Sequence, residues 1–335
     1  MIDQIPVIDF SNFDTNPKEV AANVLNACKT IGFFYIINHG LPKDQIDHSF
    51  ELAKEFFDLS SEEKHKYLIQ EDNHGYSELY QETVLEDSIN NHVMKKKTSL
   101  DPENQKQGDH KEGFNFRNFI NGKPYAPLPP IFEKEQSFIE EFSRACHGTA
   151  MRILQAFAIA LEIPEEEGGA KWFSDRHTYD RQSGEVLRFL KYPRGGESTY
   201  KETVRAGAHS DYGSITLLFQ KDVPGLEVKA SRTEWISAPL IENSILVNVG
   251  DQLQEWTNGL FKSTLHRVTF LPEHAHVDRY SMPVFIHPED DTLLSPIPSS
   301  IVPPPSESTQ GVAKSGEIIT AGEHLRRRLN ATYKY

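Results

Sequence analysis

Cysteine is nearly missing from this sequence: there are two among 335 residues, Cys28 and Cys146, each in a helical pattern without a close partner. That excludes a disulfide framework and a cysteine-rich zinc knuckle, and it points to a reducing, cytoplasmic setting. Basic residues are also short, 35 Lys and Arg against 49 Asp and Glu, and the formal charge of -14 argues against nucleic acid or an anionic membrane as partner. No apolar run approaches the length of a transmembrane helix, and Met1-Ile2-Asp3-Gln4 has neither the basic start nor the apolar core of a signal peptide. No repeat period is present. What the chain does have is 38% hydrophobic residues and 20 Phe, ample for a sizeable core. Monomer and homo-oligomer both stay open.

Local patterning separates two regions, 1–120 and 121–335, expected to fold as one compact unit. Ile5 to Phe10 reads as a short edge strand, and Val20, Val24, Leu25 and Ala27 recur at helical spacing between Pro17 and Thr30. Gly32 to Ile37 is an aromatic and β-branched strand closed by Asn38-His39-Gly40, followed by a helix over Asp44 to Leu59 and a capped restart at Ser60. From about 68 to 113 the composition turns polar, including Lys95-Lys96-Lys97, and predicts a long loop or insert. Pro129-Pro130 introduces a long helix from about Ile131 to Leu161. After Trp172 come short strands: Val186 to Tyr192, Val204 to His209, Ile215 to Gln220, Leu226 to Lys229, Trp235 to Ala238, Ile245 to Val249, Phe261 to Leu271 and Ser281 to Ile286. Their spacing leaves no room for crossover helices, so the sheet is expected to be mainly antiparallel, a sandwich or jelly roll. Ser295 to Ser308 is rich in Pro and Ser and reads as a mobile surface segment, before a basic helix from about Ala321 to Leu329.

Chemistry concentrates in Gly207-Ala208-His209-Ser210-Asp211-Tyr212-Gly213-Ser214. In an extended chain residues two apart share a face, so His209 and Asp211 project together. His266, in the strand-like run Ser263 to Val268, supplies a second imidazole. Two histidines and one carboxylate make the facial triad of non-haem Fe(II) oxygenases, with open positions for substrate and O2. Arg279-Tyr280-Ser281 then offers a guanidinium and a hydroxyl on one strand face, a donor set for a carboxylate. The other histidines, His39, His110, His147, His177, His274, His276 and His287, lack a partnered carboxylate in a strand setting and read as surface or hydrogen-bonding residues.

His209-x-Asp211, then His266, then Arg279-x-Ser281 resembles the Fe(II)/2-oxoglutarate-dependent dioxygenases, in the isopenicillin N synthase-like branch. Ile5 to Phe10, Gly32 to Gly40, Asn248-Val249-Gly250-Asp251 and Trp256-Thr257-Asn258-Gly259 resemble that branch as well. The stretch Val204 to Gln220 and the tail from Gly322 to Tyr333 are similar to a subgroup that includes thymine 7-hydroxylases.

The resemblance implies an α+β fold: a double-stranded β-helix (jelly roll) core with flanking N-terminal helices and a long packing helix. It further implies that His209, Asp211 and His266 hold Fe(II), and that Arg279, Ser281 and Tyr192 hold 2-oxoglutarate. Leu190 stands where plant-type members often carry Asn, so that end of the co-substrate is held differently. The implied reaction consumes O2, releases succinate and CO2, and hydroxylates a C–H of a small organic molecule, a nucleobase or specialised metabolite. Tyr212 and Phe285 are candidates to stack a flat ring, Arg188 to supply a polar handle, and Phe114 and Phe116 to line the pocket. Two alternatives stand beside this: an oxidase that uses O2 without 2-oxoglutarate, with Arg279 and Ser281 on a substrate carboxylate, and a binding module without chemistry.

Overall fold

Strands from the N-terminal region and from the chain after Trp172 join in one large sheet. The computed structural model describes residues 4–81, 108–195, 205–304 and 318–332, so Lys95-Lys96-Lys97 and much of the expected polar insert lie outside the described residues. In chain order the strands are β1 (Val7–Asp9), β2 (Phe33–Ile37), β3 (Gly75–Ser77), β4 (Glu112–Arg117), β5 (Val186–Tyr192), β6 (Ala206–His209), β7 (Ile215–Lys221), β8 (Leu226–Lys229), β9 (Trp235–Ser237), β10 (Ser244–Val249), β11 (His266–Val268) and β12 (Arg279–Ile286). The larger sheet runs β1-β2-β10-β7-β12-β5-β4-β3 and the smaller β6-β11-β8-β9. Among the described residues every pair is antiparallel except β1 with β2. The two sheets form the jelly roll of an α+β protein.

Period-two alternation gives the larger sheet two different faces. Leu217, Phe219, Val247, Met282 and Val284 pack outward on the helices α1 (Pro17–Thr30), α2 (Lys43–Phe57) and α5 (Gln136–Ala160), in one apolar cluster with Val24, Phe56, Phe142 and Phe157. Phe33, Tyr35, Leu190, Tyr192 and Leu246 point the other way and meet Leu226, Val228 and Val268 of the smaller sheet. His209, His266, Arg188, Tyr192, Arg279, Ser281 and Phe285 lie along this interior.

Several expectations change. The polar stretch 68–113 is not one loop: β3 and the start of β4 belong to it, paired in register Gly75↔Asn115 and Ser77↔Gly113. Phe114 and Phe116 are not pocket lining; they stand on the helix-facing side of β4, within 5.1 Å centroid to centroid of Phe56, Phe132 or Phe189. Alternation gives the interior face of β4 to Gly113, Asn115 and Arg117 instead. The long helix divides at Glu135 into α4 (Pro130–Lys134) and α5. The expected strand over Phe261 to Leu271 shrinks to β11, because Ser263 N–H donates to Gln254 Oε1 (2.7 Å) and Lys262 N–H to Cys28 O (3.0 Å) rather than to a strand. Gln254 sits on α6 (Asp251–Trp256), a helix that the strand pattern conceals. The Pro-rich segment is anchored as far as it is described: Trp256 Nε1–H donates to Ser295 O (2.7 Å), Asn258 Nδ2–H to Pro303 O (2.9 Å), and Ile297 is buried. Ser60 Oγ accepts from Glu63 N–H (3.2 Å) and caps α3 (Ser61–His65) as its sequence predicts. The final helix, α7, spans Ala321–Thr332.

Of the histidines read as surface or hydrogen-bonding groups, His39, His110, His147, His177 and His287 are buried. His177 Nδ1–H donates to Phe173 O (2.7 Å) and its Nε2 accepts from Ser214 Oγ–H (2.9 Å). Burial holds its pKa down to about 3, and that of His74 down to about 4, from 6.5. Unfolded imidazoles take protons near 6.5 and these folded ones only well below, so each group costs stability as pH falls from 6.5 toward those values. His147 runs the other way: burial works against its charge, but the Glu185 carboxylate at 2.9 Å raises its pKa overall. The expected result is a lower urea midpoint at pH 5 than at pH 7.5, with the drop reduced in His177→Gln. A drop of the same size in the variant removes His177 from this account.

Candidate metal and co-substrate site

β6 and β11 set His209 directly opposite His266 in register, so the two imidazoles meet across one strand pair with ring centroids 4.3 Å apart. Each ring turns its Nδ1 to a carbonyl two residues back, His209 to Gly207 O (2.8 Å) and His266 to Thr264 O (3.2 Å). Carbonyls only accept, so both Nδ1 atoms carry the proton and both Nε2 lone pairs remain for a ligand. Asp211 follows on the turn after β6. Its Oδ2 accepts from Thr216 Oγ1–H (2.6 Å) and Asn248 Nδ2–H (2.7 Å), which leaves Oδ1 facing His266 Nε2 at 3.7 Å. One donor atom from each of the three residues lies within 4.8 Å of the others.

The electrostatics suit a dication. Burial, then the neighbouring His266, push the pKa of His209 down to about 4, so its imidazole is neutral at pH 7. Burial also opposes the charge of Asp211, but His266, His209, Thr216 and Asn248 together hold its carboxyl below the usual carboxylate value. Two imidazoles and one ionised carboxylate make a compact set of hard and borderline donors that fits Fe(II).

A second polar layer holds this arrangement. Asp251, at the start of α6, donates its N–H to Asp211 O (2.7 Å) and accepts from Ser210 Oγ (3.0 Å) and Ser263 Oγ (2.6 Å), touching both ligand-bearing segments. Gly250 permits that approach, since a Cβ there would stand 2.2 Å from Gly213 O. Arg328 of α7 pairs with Asp251 at 2.6 Å and lies over the Tyr212 ring at 5.1 Å. Tyr212, a candidate for ring stacking, is therefore already stacked on this guanidinium. Asp109 Oδ1 accepts from Gly207 N–H (3.0 Å) and its Oδ2 pairs with Lys111 (2.7 Å), tying the expected insert to β6. Sequence reading missed Asp109, Lys111 and Arg328 because no local spacing relates them to His209. Thr216 and Asn248 stand inside the resembling segments, and only their registers (Asn248↔Thr216) reveal the shared carboxylate.

Further along the interior, Arg279 pairs in register with Tyr192 and Ser281 with Gln220 and Leu190. The Arg279 guanidinium is 1% exposed, bonds Ser281 Oγ (3.3 Å) and Gln220 Oε1 (3.0 Å), and lies 4.9 Å from the Tyr192 ring centroid. Among the described residues no carboxylate pairs with it, and its Nε has no hydrogen-bond partner. A buried cation bonded only to neutral groups is a receptor for an anion. Arg188 reaches Ser77 Oγ (3.2 Å) from the same interior face, and half-buried Phe285 stands opposite Val186 and Thr216, beside the hydroxyl that holds Asp211.

A jelly roll that brings two imidazoles, a carboxylate and a buried anion receptor into one interior defines the non-haem iron oxygenases as a class. Within that class, residues 183–288 match the 2OG-Fe(II) oxygenase superfamily and residues 5–136 match the N-terminal region of non-haem dioxygenases in morphine synthesis. A UPF0676 protein of Schizosaccharomyces pombe is 37% identical over 338 residues, covering 99% of this chain and 94% of the relative. The 1-aminocyclopropane-1-carboxylate oxidase of Dictyostelium discoideum is 28% identical, covering 89% and 85%. Among solved structures, the full-length thymine 7-hydroxylase of Neurospora crassa, bound to alpha-ketoglutarate (2-oxoglutarate) and thymine, superposes with TM-score 0.78 at 31% identity over 98% of this chain and 97% of that one. This chain belongs to the 2OG-Fe(II) oxygenase superfamily. It is an oxidoreductase, a dioxygenase that takes Fe(II) as cofactor and 2-oxoglutarate as co-substrate. Among the described residues no helix is long and apolar enough to cross a membrane.

Proposed function

We propose that this dioxygenase hydroxylates a small planar molecule of nucleobase type, with His209, Asp211 and His266 as iron ligands and Arg279, Ser281 and Tyr192 as the receptor for the remote carboxylate of 2-oxoglutarate. The observation that carries the reading is the buried Arg279, without a carboxylate partner among the described residues, in the same interior as the three converging donor atoms. Bound iron supplies O2 activation, coupled to decarboxylation of the co-substrate to succinate and CO2. The chain's own residues do the positioning. Thr216 and Asn248 fix the Asp211 carboxylate, the Gly207 and Thr264 carbonyls fix both imidazole tautomers, and Arg188 and Phe285 offer a hydrogen-bond handle and an apolar ring to a flat substrate.

Pyrimidine chemistry is supported by the likeness to the Neurospora thymine 7-hydroxylase, whose structures hold thymine and 5-formyluracil. Two buried free thiols, Cys28 and Cys146, agree with a reducing cytoplasmic setting. The test is anaerobic loading with Fe(II), addition of 2-oxoglutarate, and a search for the visible charge-transfer band of a chelated keto acid. Succinate is then assayed in air with thymine and related pyrimidines. Band and succinate together support the reading; a band without succinate for any pyrimidine removes the nucleobase assignment alone.

Asn248→Ala leaves Asp211 one hydrogen bond short. Loss of a partner that orients a ligand lowers metal affinity by about 10- to 100-fold, so a Co(II) titration of this variant is expected to shift by that factor while its unfolding midpoint stays near that of the parent. An unchanged titration counts against Asp211 as a ligand.

A further inference from the structure

Arg205 and Arg279 head the large side chains that are fully buried, each 1% exposed. Arg205 directly precedes β6, four residues before His209. Its Nη2–H donates to Val277 O (2.9 Å), its guanidinium stacks 4.5 Å from the Phe270 ring centroid, and its Nε has no hydrogen-bond partner. Val277 lies two residues before Arg279, so Arg205 is tied to the segment that delivers the other guanidinium.

The nearby acids are engaged elsewhere. Asp109 is held by Lys111 Nζ and Gly207 N–H, and Asp278 accepts from Arg194 N–H (2.8 Å) with Lys191 Nζ at 3.6 Å. Asp278 favours the charge on Arg205 only from beyond ion-pair distance. Burial first, and then the like charge of Arg279, bring the Arg205 pKa down to about 10. Two buried guanidiniums that repel each other and share no carboxylate among the described residues leave an electrostatic deficit, which an anionic ligand between or beside them offsets.

We propose that Arg205 is the second cation of the co-substrate subsite, a specificity-determining residue whose charge favours a 2-oxo diacid over a 2-oxo monoacid, while Arg279 makes the direct contact. The inference rests on the reading of Arg279 given above. In it the keto acid end is held by the metal and does not sense Arg205, whereas the remote carboxylate does.

The experiment follows from that division. Protein loaded anaerobically with Fe(II) is titrated with 2-oxoglutarate and with 2-oxobutyrate, which lacks the remote carboxylate, and the charge-transfer band gives both affinities. Arg205→Met is expected to weaken 2-oxoglutarate about tenfold, the size of one charge-assisted interaction, and to leave 2-oxobutyrate within about twofold. Arg205→Lys keeps the charge and is expected to retain the diacid preference within about threefold. Equal weakening of both acids, or of neither, in Arg205→Met overturns the proposal. Should Arg205→Met fail to fold, Phe270→Leu loosens the stacked guanidinium instead and is expected to narrow the diacid preference; an unchanged preference there overturns the proposal too. Parent protein that binds iron yet gives no band with 2-oxoglutarate sinks the underlying reading of the site, an outcome distinct from a band whose selectivity ignores Arg205.

Discussion

Asp211→Ala is expected to abolish turnover and to lower Fe(II) or Co(II) affinity by more than about 100-fold, beyond what loss of an orienting partner costs. The side chain is the only anion of the three converging residues, and its Oδ1 is the oxygen left over after Thr216 and Asn248 have taken Oδ2. Without it only two imidazole nitrogens face a dication, with no compensating negative charge, and the Thr216 hydroxyl and Asn248 amide lose their shared acceptor. Asp211→Asn separates the two losses, because it keeps the shape and much of the hydrogen bonding while removing the charge. If charge decides, Asn behaves like Ala in a Co(II) titration. Near-normal turnover by Asp211→Ala would falsify the metal site.

Arg279→Met is expected to leave metal affinity within about twofold and to weaken 2-oxoglutarate about 100-fold, the range for losing a buried charge-assisted pair of hydrogen bonds, about 1.5–3 kcal/mol. Saturating 2-oxoglutarate should recover part of kcat, which separates co-substrate binding from the chemical step. Stability has an expected sign as well. Arg279 is buried, bonded to neutral groups, and its pKa is lowered by burial, so the ligand-free parent carries an uncompensated cost. Replacing it by an apolar side chain of similar length removes that cost, and the variant's Tm without ligands is expected not to fall below the parent's. Added 2-oxoglutarate with metal should raise the parent's Tm more than the variant's, since only binding to the folded state stabilises it. A variant with unaltered 2-oxoglutarate affinity would place the diacid elsewhere.

What was legible in the sequence was local. His209-x-Asp211 and Arg279-x-Ser281 are relations between residues two apart, and an extended backbone turns those into shared faces wherever the strand lies. Helix α1, the Ser60 cap and most strands after Trp172 followed from periodicities of a few residues in the same way. Phe114 and Phe116 show where such reading stops. Alternation places them together on one face, yet which face is core depends on β4 pairing with β5 (Phe114↔Phe189) and on α4 delivering Phe132 to that side. The helix α6 was hidden for a similar reason, since its capping geometry depends on Gly250 packing against Gly213 rather than on its own composition.

The sequence by itself therefore determined the donor types, their pairwise spacing and the antiparallel character of the strands after Trp172, because steric alternation and connection length act over a few residues. Tertiary structure alone decided which side of each strand faces the interior, and that Thr216 and Asn248 share one carboxylate oxygen. It also decided that Asp251 and Arg328 brace the ligand-bearing segments, and that the buried Arg205 donates to Val277 O, two residues before Arg279. Those relations come from sheet register and from closure of two sheets against the helices. The burial that gives the charges their energetic weight exists only once the chain has closed.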